Sequence, residues 1–279
     1  MSAFASYTCS RHVSLRALRA IAGSVLSKKY STAIRPDGEI YDVAVLGGGI
    51  VGVTTAREIK KKYPNKTITI IEKESEVGGH QTNHNSGVIH AGIYYKPGSS
   101  IARCCVRGLD LMYEYCAKHN IPAKRVGKLI AAVDENEHKV LLDLIKNGQE
   151  NGVKGLEIFY REQVKAKEPY VDVYSALWSP NTGVVDFAQV TRHIASALAN
   201  NGEVDVRLQF EVKSMQKKVD AHGDVLVEIQ GLEQRQLGPV KTVRARHAIS
   251  CCGLQSDLVG RLGGGAVLPK IVNFRGRYV

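Results

Sequence analysis

The glycines Gly47, Gly49 and Gly52 form a GxGxxG pattern that lies between a run of β-favouring residues and a helical pattern. In such a turn the first glycine allows the tight bend, the second lets backbone amides approach a pyrophosphate, and the third lets helix and strand pack closely. Ile50 and Val51 stand where the predicted helix begins, and its N-terminal amides and dipole attract negative charge. The pattern predicts that this segment binds the pyrophosphate of a dinucleotide.

An acidic residue lies at the distance from the glycines at which a dinucleotide-binding fold contacts the ribose. Glu72 follows Gly52 by twenty residues and ends a second run of β-favouring residues, so its carboxylate can accept hydrogen bonds from the ribose of an adenosine. A chance cluster of loop glycines with a surface glutamate would rarely have this register with a strand and a helix. We therefore expect Glu72, together with Lys73 and Gly79 just after it, to contact the dinucleotide.

The elements that must position these residues follow from periodicity. Residues 40–46 and 66–72 are predicted strands and residues 51–62 a helix, which together make a βαβ unit of a parallel sheet. Asp134 with Glu137 marks the capping-box start of a later helix. Further predicted strands are 125–133, 156–160, 175–178, 182–185, 204–209, 211–216, 225–230, 242–252 and 271–279, and the other helices are 100–119, 134–151, 187–199 and 257–262.

The net charge of +11 is concentrated at the N-terminus, because residues 1–36 carry six basic side chains and no acidic one. This segment is rich in Arg and Ser and has apolar residues at helical spacing, so residues 1–35 are predicted to be a mitochondrial transit peptide. The rest of the chain has no basic block with interleaved aromatics, which argues against a nucleic-acid partner. No apolar run reaches the roughly 20 residues that a membrane span needs, while peripheral association with the inner membrane stays open.

The six cysteines include two adjacent pairs and no CxxC spacing, so the sequence predicts neither a disulfide framework nor a metal site. They are expected to be small buried residues. An apolar stripe on the helix after residue 99 is also predicted to pack into the core, and it consists of Ile101, Cys104, Cys105, Leu109 and Met112.

The loop after Gly79 carries the most specific signal. Residues 84–97 read HNSGVIHAGIYYKP, and the other characteristic runs are residues 127–130, 167–169, 182–186 and 274–276. These runs resemble the L-2-hydroxyglutarate dehydrogenase family, within the flavoproteins of the D-amino-acid oxidase and glycerol-3-phosphate dehydrogenase group. The resemblance covers about residues 40–279 in order.

The resemblance implies FAD rather than NAD as the cofactor, bound by a Rossmann-like α/β domain of the D-amino-acid oxidase and glutathione reductase type. An interleaved, incomplete α+β domain would bind the substrate. The implied FAD-binding domain comprises residues 40–120 and 186–268, and the truncated substrate domain comprises residues 121–185 and 269–279. Further implied cofactor contacts are Asn85, Ser86, Gly87, Val88, Val212 and Gly253.

The reaction implied by the resemblance oxidises L-2-hydroxyglutarate to 2-oxoglutarate by hydride transfer to flavin N5, and an unidentified acceptor then takes the electrons. The hydroxyl proton needs a base, for which His90 is the first candidate and His84 the second. A role of His90 in fixing the loop or in a covalent bond to flavin stays open. The dicarboxylate substrate needs cationic and hydroxyl partners, and the candidates are Tyr94, Tyr95, Lys128 and Arg275.

Two alternatives stay open. The same glycine pattern serves enzymes that oxidise amino acids or glycerol 3-phosphate, because a fold does not fix a substrate. The second alternative is a truncated, non-catalytic product, since the resembling family extends beyond position 279 and the last predicted strand has no element after it.

Overall fold

The computed structural model describes residues 39–233, 238–265, 269–272 and 274. The predicted transit peptide, Arg275 and most of the predicted strand 271–279 lie outside the described residues. Within them the helices are α1 (Ile50–Lys62), α2 (Ser100–Lys118), α3 (Glu135–Glu150), α4 (Arg161–Lys167), α5 (Phe187–Asn200) and α6 (Ser256–Leu262). The strands are β1 (Ile40–Leu46), β2 (Ile68–Ile71), β3 (Val88–Ile89), β4 (Ala123–Arg125), β5 (Lys128–Ala132), β6 (Glu157–Tyr160), β7 (Ser175–Ser179), β8 (Gly183–Val185), β9 (Val204–Arg207), β10 (Phe210–Val219), β11 (Val225–Glu233) and β12 (Val240–Ser250).

The chain forms two compact units, one from residues up to 82 and from 191 onward, the other from residues 83–190. The sequence predicted the corresponding boundaries near residues 120 and 185. The difference concerns mainly residues 83–120, the polar loop and α2, which were predicted in the cofactor domain and lie in the second unit, where Tyr113 of α2 donates a hydrogen bond to the carbonyl of Asn181 at 3.1 Å. The assignment of a cofactor domain and a substrate domain stays a prediction.

The first unit is built on a six-stranded sheet in the order β10-β11-β12-β1-β2-β9. The neighbours β12, β1, β2 and β9 are parallel, whereas β10, β11 and β12 are antiparallel to one another. Strand β1 is buried from Val43 to Leu46, as expected for a central parallel strand, and α1 connects it to β2. This is the predicted Rossmann-like arrangement, and it brings the carboxyl ends of β1, β2 and β12 to one edge of the sheet.

The opposite end of this sheet is fixed by Asp42. Its carboxylate accepts hydrogen bonds from the backbone N–H and the hydroxyl of Thr67 at 2.9 and 3.0 Å, and Lys66 adds an ion pair at 2.9 Å. Burial alone would raise the pKa of Asp42, but the bonds from Thr67 and Lys66 outweigh it and lower the pKa from 3.8 to about 2. The ionised carboxylate therefore ties β1 to the start of β2.

We expect the free energy of unfolding to decrease in acid because of Asp42. A carboxyl whose folded pKa lies below its unfolded value stabilises the fold above the unfolded pKa, and this contribution is lost as pH falls from about 4 towards 2. Allowing for solvent screening of a partly exposed pair, we expect a contribution of about 1 kcal/mol. Urea unfolding of Asp42→Asn at neutral and acid pH measures it, with the exposed Asp143→Asn on α3 as control. Equal stability of the two variants at neutral pH would contradict the assignment.

The second unit contains two small antiparallel sheets, in the orders β3-β8-β4 and β5-β7-β6. The predicted N-cap is confirmed, since Asp134 accepts the N–H of Glu137 at 2.9 Å; the return bond of the capping box differs, because Glu137 accepts the N–H of Val133 at 2.8 Å rather than that of Asp134. These bonds fix the start of α3, which packs against β5 and β7.

Trp178 on β7, the single tryptophan of the chain, reports on the folding of the second unit. The ammonium of Lys167 lies 4.1 Å from the centroid of its ring, and the ring of Phe159 stacks on it at 5.9 Å. Gly127 lies so close that a Cβ there would be 1.9 Å from the indole. Any repacking of this unit should therefore change the fluorescence of Trp178.

Only part of the apolar stripe predicted on α2 is buried in the core. Leu109 is buried, but Ile101 is 62% exposed and Cys104 is also exposed, so the prediction is wrong for these two residues. The buried face of α2 instead contains Ala102, Leu109 and Cys116, which recur every seven residues. The exposed stripe therefore has no role in the core of the second unit.

Candidate functional site

The turn between β1 and α1 has a backbone shape that excludes side chains. Gly47 has a φ of +108°, and a Cβ on it would be 2.4 Å from the carbonyl oxygen of Cys251 at the end of β12. A Cβ on Gly52 would be 1.9 Å from the carbonyl oxygen of Gly47. Both clashes are with backbone, which cannot move aside cheaply. The turn and the start of α1 thus form a bare backbone cradle of the kind that accommodates a pyrophosphate.

Glu72 fastens this turn to the end of β2. One carboxylate oxygen accepts the N–H of Gly48 at 2.7 Å, and the other accepts the N–H of Glu74 at 2.9 Å. Burial raises the pKa of Glu72, and the bond from Gly48 opposes the rise. Each carboxylate oxygen has a second lone pair, so these backbone bonds are compatible with the predicted contact to a ribose, which stays a prediction.

Thr82 is a residue at this turn that the sequence analysis missed. Its hydroxyl accepts the N–H of Ile50, the first residue of α1, at 3.0 Å, and it would lie 3.3 Å from a Cβ on Gly49. The segment that leads to it folds back over the turn, since the N–H of Gly78 donates to the carbonyl of Gly48 at 2.9 Å. No local pattern points to Thr82, because it lies in an aperiodic loop.

The remaining predicted cofactor residues of the first unit lie around the same sheet edge. The N–H of Phe210, the first residue of β10, donates to the carbonyl of Glu72 at 2.9 Å, and the half-buried Val212 follows on that strand. Gly253 has a φ of +53° and comes three residues after the end of β12. The first unit thus holds Gly47, Gly49, Ile50, Val51, Gly52, Glu72, Lys73, Gly79, Val212 and Gly253.

The predicted loop residues 84–88 belong to the second unit and lead into β3. The side-chain oxygen of Asn85 accepts the N–H of Gly87 at 2.7 Å, and the carbonyl of Gly87 accepts the N–H of Val185 at 2.9 Å. His84, Asn85 and Ser86 are exposed, whereas Val88 is half-buried as the first residue of β3. The loop therefore presents polar side chains from a fixed backbone.

His90, Lys128 and Tyr94 form a polar group in the second unit. The ammonium of Lys128 donates to the Tyr94 hydroxyl at 2.8 Å and lies 4.7 Å from the centroid of its ring. Partial burial lowers the pKa of His90, and the positive charge of Lys128 lowers it further. The imidazole is therefore held neutral at neutral pH, which is the protonation state that can accept a proton.

Asn151, at the C-terminal end of α3, anchors the loop that carries the two tyrosines. Its side-chain amide donates to the carbonyl of Tyr95 at 2.8 Å and to the carbonyl of Gly92 at 3.0 Å. The sequence analysis missed this residue, because the contact joins positions far apart in the chain. Asn151 therefore helps to position Tyr94, which lies between the two anchored carbonyls.

The described residues hold no group of three His, Cys, Asp or Glu side chains placed to bind a metal ion. Among the described helices, none has the length and apolar character needed to cross a membrane. Arg275, a predicted substrate contact, lies outside the described residues.

A family model described as FAD dependent oxidoreductase matches residues 42–279. The chain belongs to this family. The match includes the turn after β1, Glu72 and the whole second unit, and it confirms the prediction of FAD rather than NAD as the cofactor. The tight turn at Gly47 and Gly52 fits the pyrophosphate of such a cofactor, since a Cβ at either position would clash with backbone and push apart the turn that presents the amides of α1.

Several curated relatives have the name L-2-hydroxyglutarate dehydrogenase, mitochondrial. The relative from Nematostella vectensis is 39% identical over 284 residues, which cover 98% of this chain and 60% of that protein. The relative from Homo sapiens is 39% identical over 239 residues, covering 86% of this chain and 51% of that protein. The chain therefore spans between about half and three-fifths of the length of these relatives, and the predicted resemblance is confirmed.

Solved structures show the same fold at lower identity. The FAD-bound L-α-glycerophosphate oxidase from Mycoplasma pneumoniae has a TM-score of 0.68 at 24% identity, over 81% of this chain and 57% of that chain. The L-proline dehydrogenase from P. horikoshii has a TM-score of 0.65 at 22% identity, over 81% and 56% of the two chains. At this identity the likeness supports the fold alone, and the predicted Rossmann-like α/β class is confirmed.

Proposed function

We propose that the chain catalyses the FAD-dependent oxidation of L-2-hydroxyglutarate to 2-oxoglutarate in mitochondria. The observation that carries this proposal is the 39% identity to the Nematostella vectensis L-2-hydroxyglutarate dehydrogenase along 98% of this chain. The location follows from the same relatives, which are named as mitochondrial. The match spans 60% of that relative, so the activity of the whole relative is proposed for this chain.

The first unit would hold the cofactor. The amides of α1 that follow Ile50, whose own N–H donates to Thr82, would bind the pyrophosphate of FAD, with Gly49 allowing its approach. Glu72 would accept hydrogen bonds from the adenosine ribose. When bound, FAD supplies an acceptor for the hydride that leaves the α-carbon of the substrate. Lys73 and Gly79, in the segment after β2, would add contacts to the adenosine side.

The second unit would supply the base. As the C–H electron pair leaves as hydride, the hydroxyl proton must also leave, and the O–H electron pair becomes the second bond of the new carbonyl. The neutral imidazole of His90 would accept that proton at a ring nitrogen. The lowered pKa of His90 supports this role, because it keeps the base unprotonated near neutral pH.

The second unit would also bind the carboxylates of the substrate. Lys128 and Tyr94 offer an ammonium and a hydroxyl that already lie 2.8 Å apart, so one carboxylate can contact both. Tyr95 follows on the loop anchored by Asn151. Arg275 is proposed as the partner of the other carboxylate, because its planar fork suits bidentate binding.

Lys128 should set the pH dependence of the reaction. Removing its charge in Lys128→Met should raise the pKa of His90, because a positive neighbour disfavours the imidazolium. The acid limb of the kcat profile, on which the base becomes protonated, should then move to higher pH. Steady-state rates across the pH range, with an artificial electron acceptor, measure the shift.

Two variants separate the charge of Lys128 from its hydrogen bond. Lys128→Arg keeps the charge and should leave the acid limb in place. Tyr94→Phe removes the hydroxyl that Lys128 contacts and should raise KM without moving the limb. A limb that stays in place in Lys128→Met would show that Lys128 does not tune the base.

A panel of substrates tests the proposed function. The FAD-loaded chain is mixed anaerobically with L-2-hydroxyglutarate, D-2-hydroxyglutarate, glycerol 3-phosphate or an amino acid, and the flavin absorbance is followed. We expect bleaching with L-2-hydroxyglutarate and little with the others, because the proposed reaction needs two carboxylates and the L configuration at the α-carbon. Bleaching by another compound but not by L-2-hydroxyglutarate would overturn the substrate, and a loaded chain that no compound bleaches would favour a non-catalytic product.

A further inference from the structure

Helix α2 has two apolar faces. One face is buried in the second unit through Ala102, Leu109 and Cys116. The other face carries residues at alternating spacings of three and four, and they are Ile101, Cys104, Gly108, Leu111 and Tyr115. Alternating steps of three and four are the spacing of a coiled-coil seam, in which each of these positions faces the partner helix.

This second face, which we call the α2 seam, is directed away from the core. Ile101 is 62% exposed and Leu111 is 50% exposed, and Cys104 is exposed as well. A Cβ built on Gly108, at the centre of the seam, would meet no described atom beyond the neighbouring backbone of its own helix within 4 Å. Contiguous exposed apolar residues of this kind mark an interaction surface, and the glycine would let a partner backbone approach closely.

The charges beside the seam favour a second copy of α2, running antiparallel, as the partner. Arg107 and Glu114 lie seven residues apart on one edge of the seam, and both are exposed. In antiparallel pairing, Arg107 of each copy lies opposite Glu114 of the other, so both pairs are attractive. In parallel pairing Arg107 would instead face Met112 on the other edge and would gain no attractive pair.

We propose that the α2 seam is a self-association surface through which two copies of the chain pair antiparallel. Gly108 of each copy then lies opposite Leu111 of the other, and Cys104 lies opposite Tyr115. This places the smaller residues against the larger ones in the central layers. The pairing is independent of the proposed function, because it uses no residue assigned to cofactor or substrate.

The size of the α2 seam sets the expected affinity of the dimer. A helix of 19 residues is about 28 Å long, so one helix pair covers less than the roughly 1,600 Å² of a standard interface. We therefore expect a reversible dimer that forms at micromolar rather than nanomolar concentration. Sedimentation velocity of the whole chain over a wide range of protein concentrations measures this equilibrium.

Leu111→Glu tests the apolar part of the seam. A charge in the paired seam would lack a partner, so we expect the dimer dissociation constant to rise about a hundredfold. Val140→Glu is the matched control, because Val140 is 56% exposed on α3, outside the seam. The fluorescence of Trp178 checks that both variants remain folded. Equal association of the two variants would overturn the proposal.

A charge exchange tests the antiparallel direction. Arg107→Glu alone and Glu114→Arg alone each place like charges opposite one another, and each should weaken the dimer about tenfold. The double variant R107E/E114R restores opposite charges and should recover the original affinity. A double variant as weak as the single ones would overturn the antiparallel pairing. A chain that stays monomeric at every concentration would overturn self-association. Binding of lipid vesicles or of another protein by such a monomer would not rescue the proposal.

Discussion

Gly52→Ala should abolish retention of FAD. The added Cβ would lie 1.9 Å from the carbonyl oxygen of Gly47, so the turn and the start of α1 must separate. That separation removes the backbone cradle, and we expect the FAD dissociation constant to rise more than about a hundredfold. The flavin absorbance that remains with the protein after gel filtration measures the loss.

Gly260→Ala is the matched control for this substitution. Gly260 is also a helical glycine of the first unit, on α6, but a Cβ there would meet no described atom beyond the neighbouring backbone of its own helix within 4 Å. Far-UV circular dichroism of both variants separates loss of the site from loss of the fold. If a folded Gly52→Ala kept its flavin as well as Gly260→Ala does, the turn would not be the pyrophosphate site.

His90→Gln should lower kcat by about 10² to 10⁴, because general-base catalysis contributes a factor of that order. The amide keeps hydrogen-bonding capacity but cannot accept the hydroxyl proton at neutral pH. Retention of FAD and KM should change little, since the pyrophosphate turn is in the first unit. Steady-state kinetics with L-2-hydroxyglutarate and an artificial electron acceptor measure the effect.

His84→Gln distinguishes the two candidate bases. Both side chains are exposed, but the positive charge of Lys128 acts on His90, whose pKa is lowered, while His84 lies in the loop before β3. We expect His84→Gln to keep most of the activity. A large loss in His84→Gln together with a normal rate in His90→Gln would reverse the assignment of the base.

The parts of the fold that were predictable are those with a local signal. β1, α1 and β2 follow from apolar runs, from a helical period and from Pro64, and they occur within two residues of their predicted ends. Glu72 could be placed because the dinucleotide turn fixes its distance from Gly52. The N-cap bond between Asp134 and Glu137 is likewise a contact within one turn of the helix.

The contacts that the sequence analysis missed join distant positions. Thr82 reaches Ile50 across 32 residues, and Asn151 reaches Tyr95 across 56, so no short window of sequence contains either pair. The short helix α4 was missed because its seven residues bury only Val164 and show too little of a helical period. The exposure of Ile101 could not be predicted, since helical periodicity reveals an apolar face but not what covers it.

The central claim is that the turn after β1, with Glu72, binds the adenine half of FAD. Titration of the flavin-free chain with FAD in the presence of ADP tests this claim most directly, with FMN as the flavin that lacks the adenosine. We expect FAD to bind, ADP to displace it competitively, and FMN to bind far more weakly. Equal binding of FMN and FAD, or no displacement by ADP, would contradict the account.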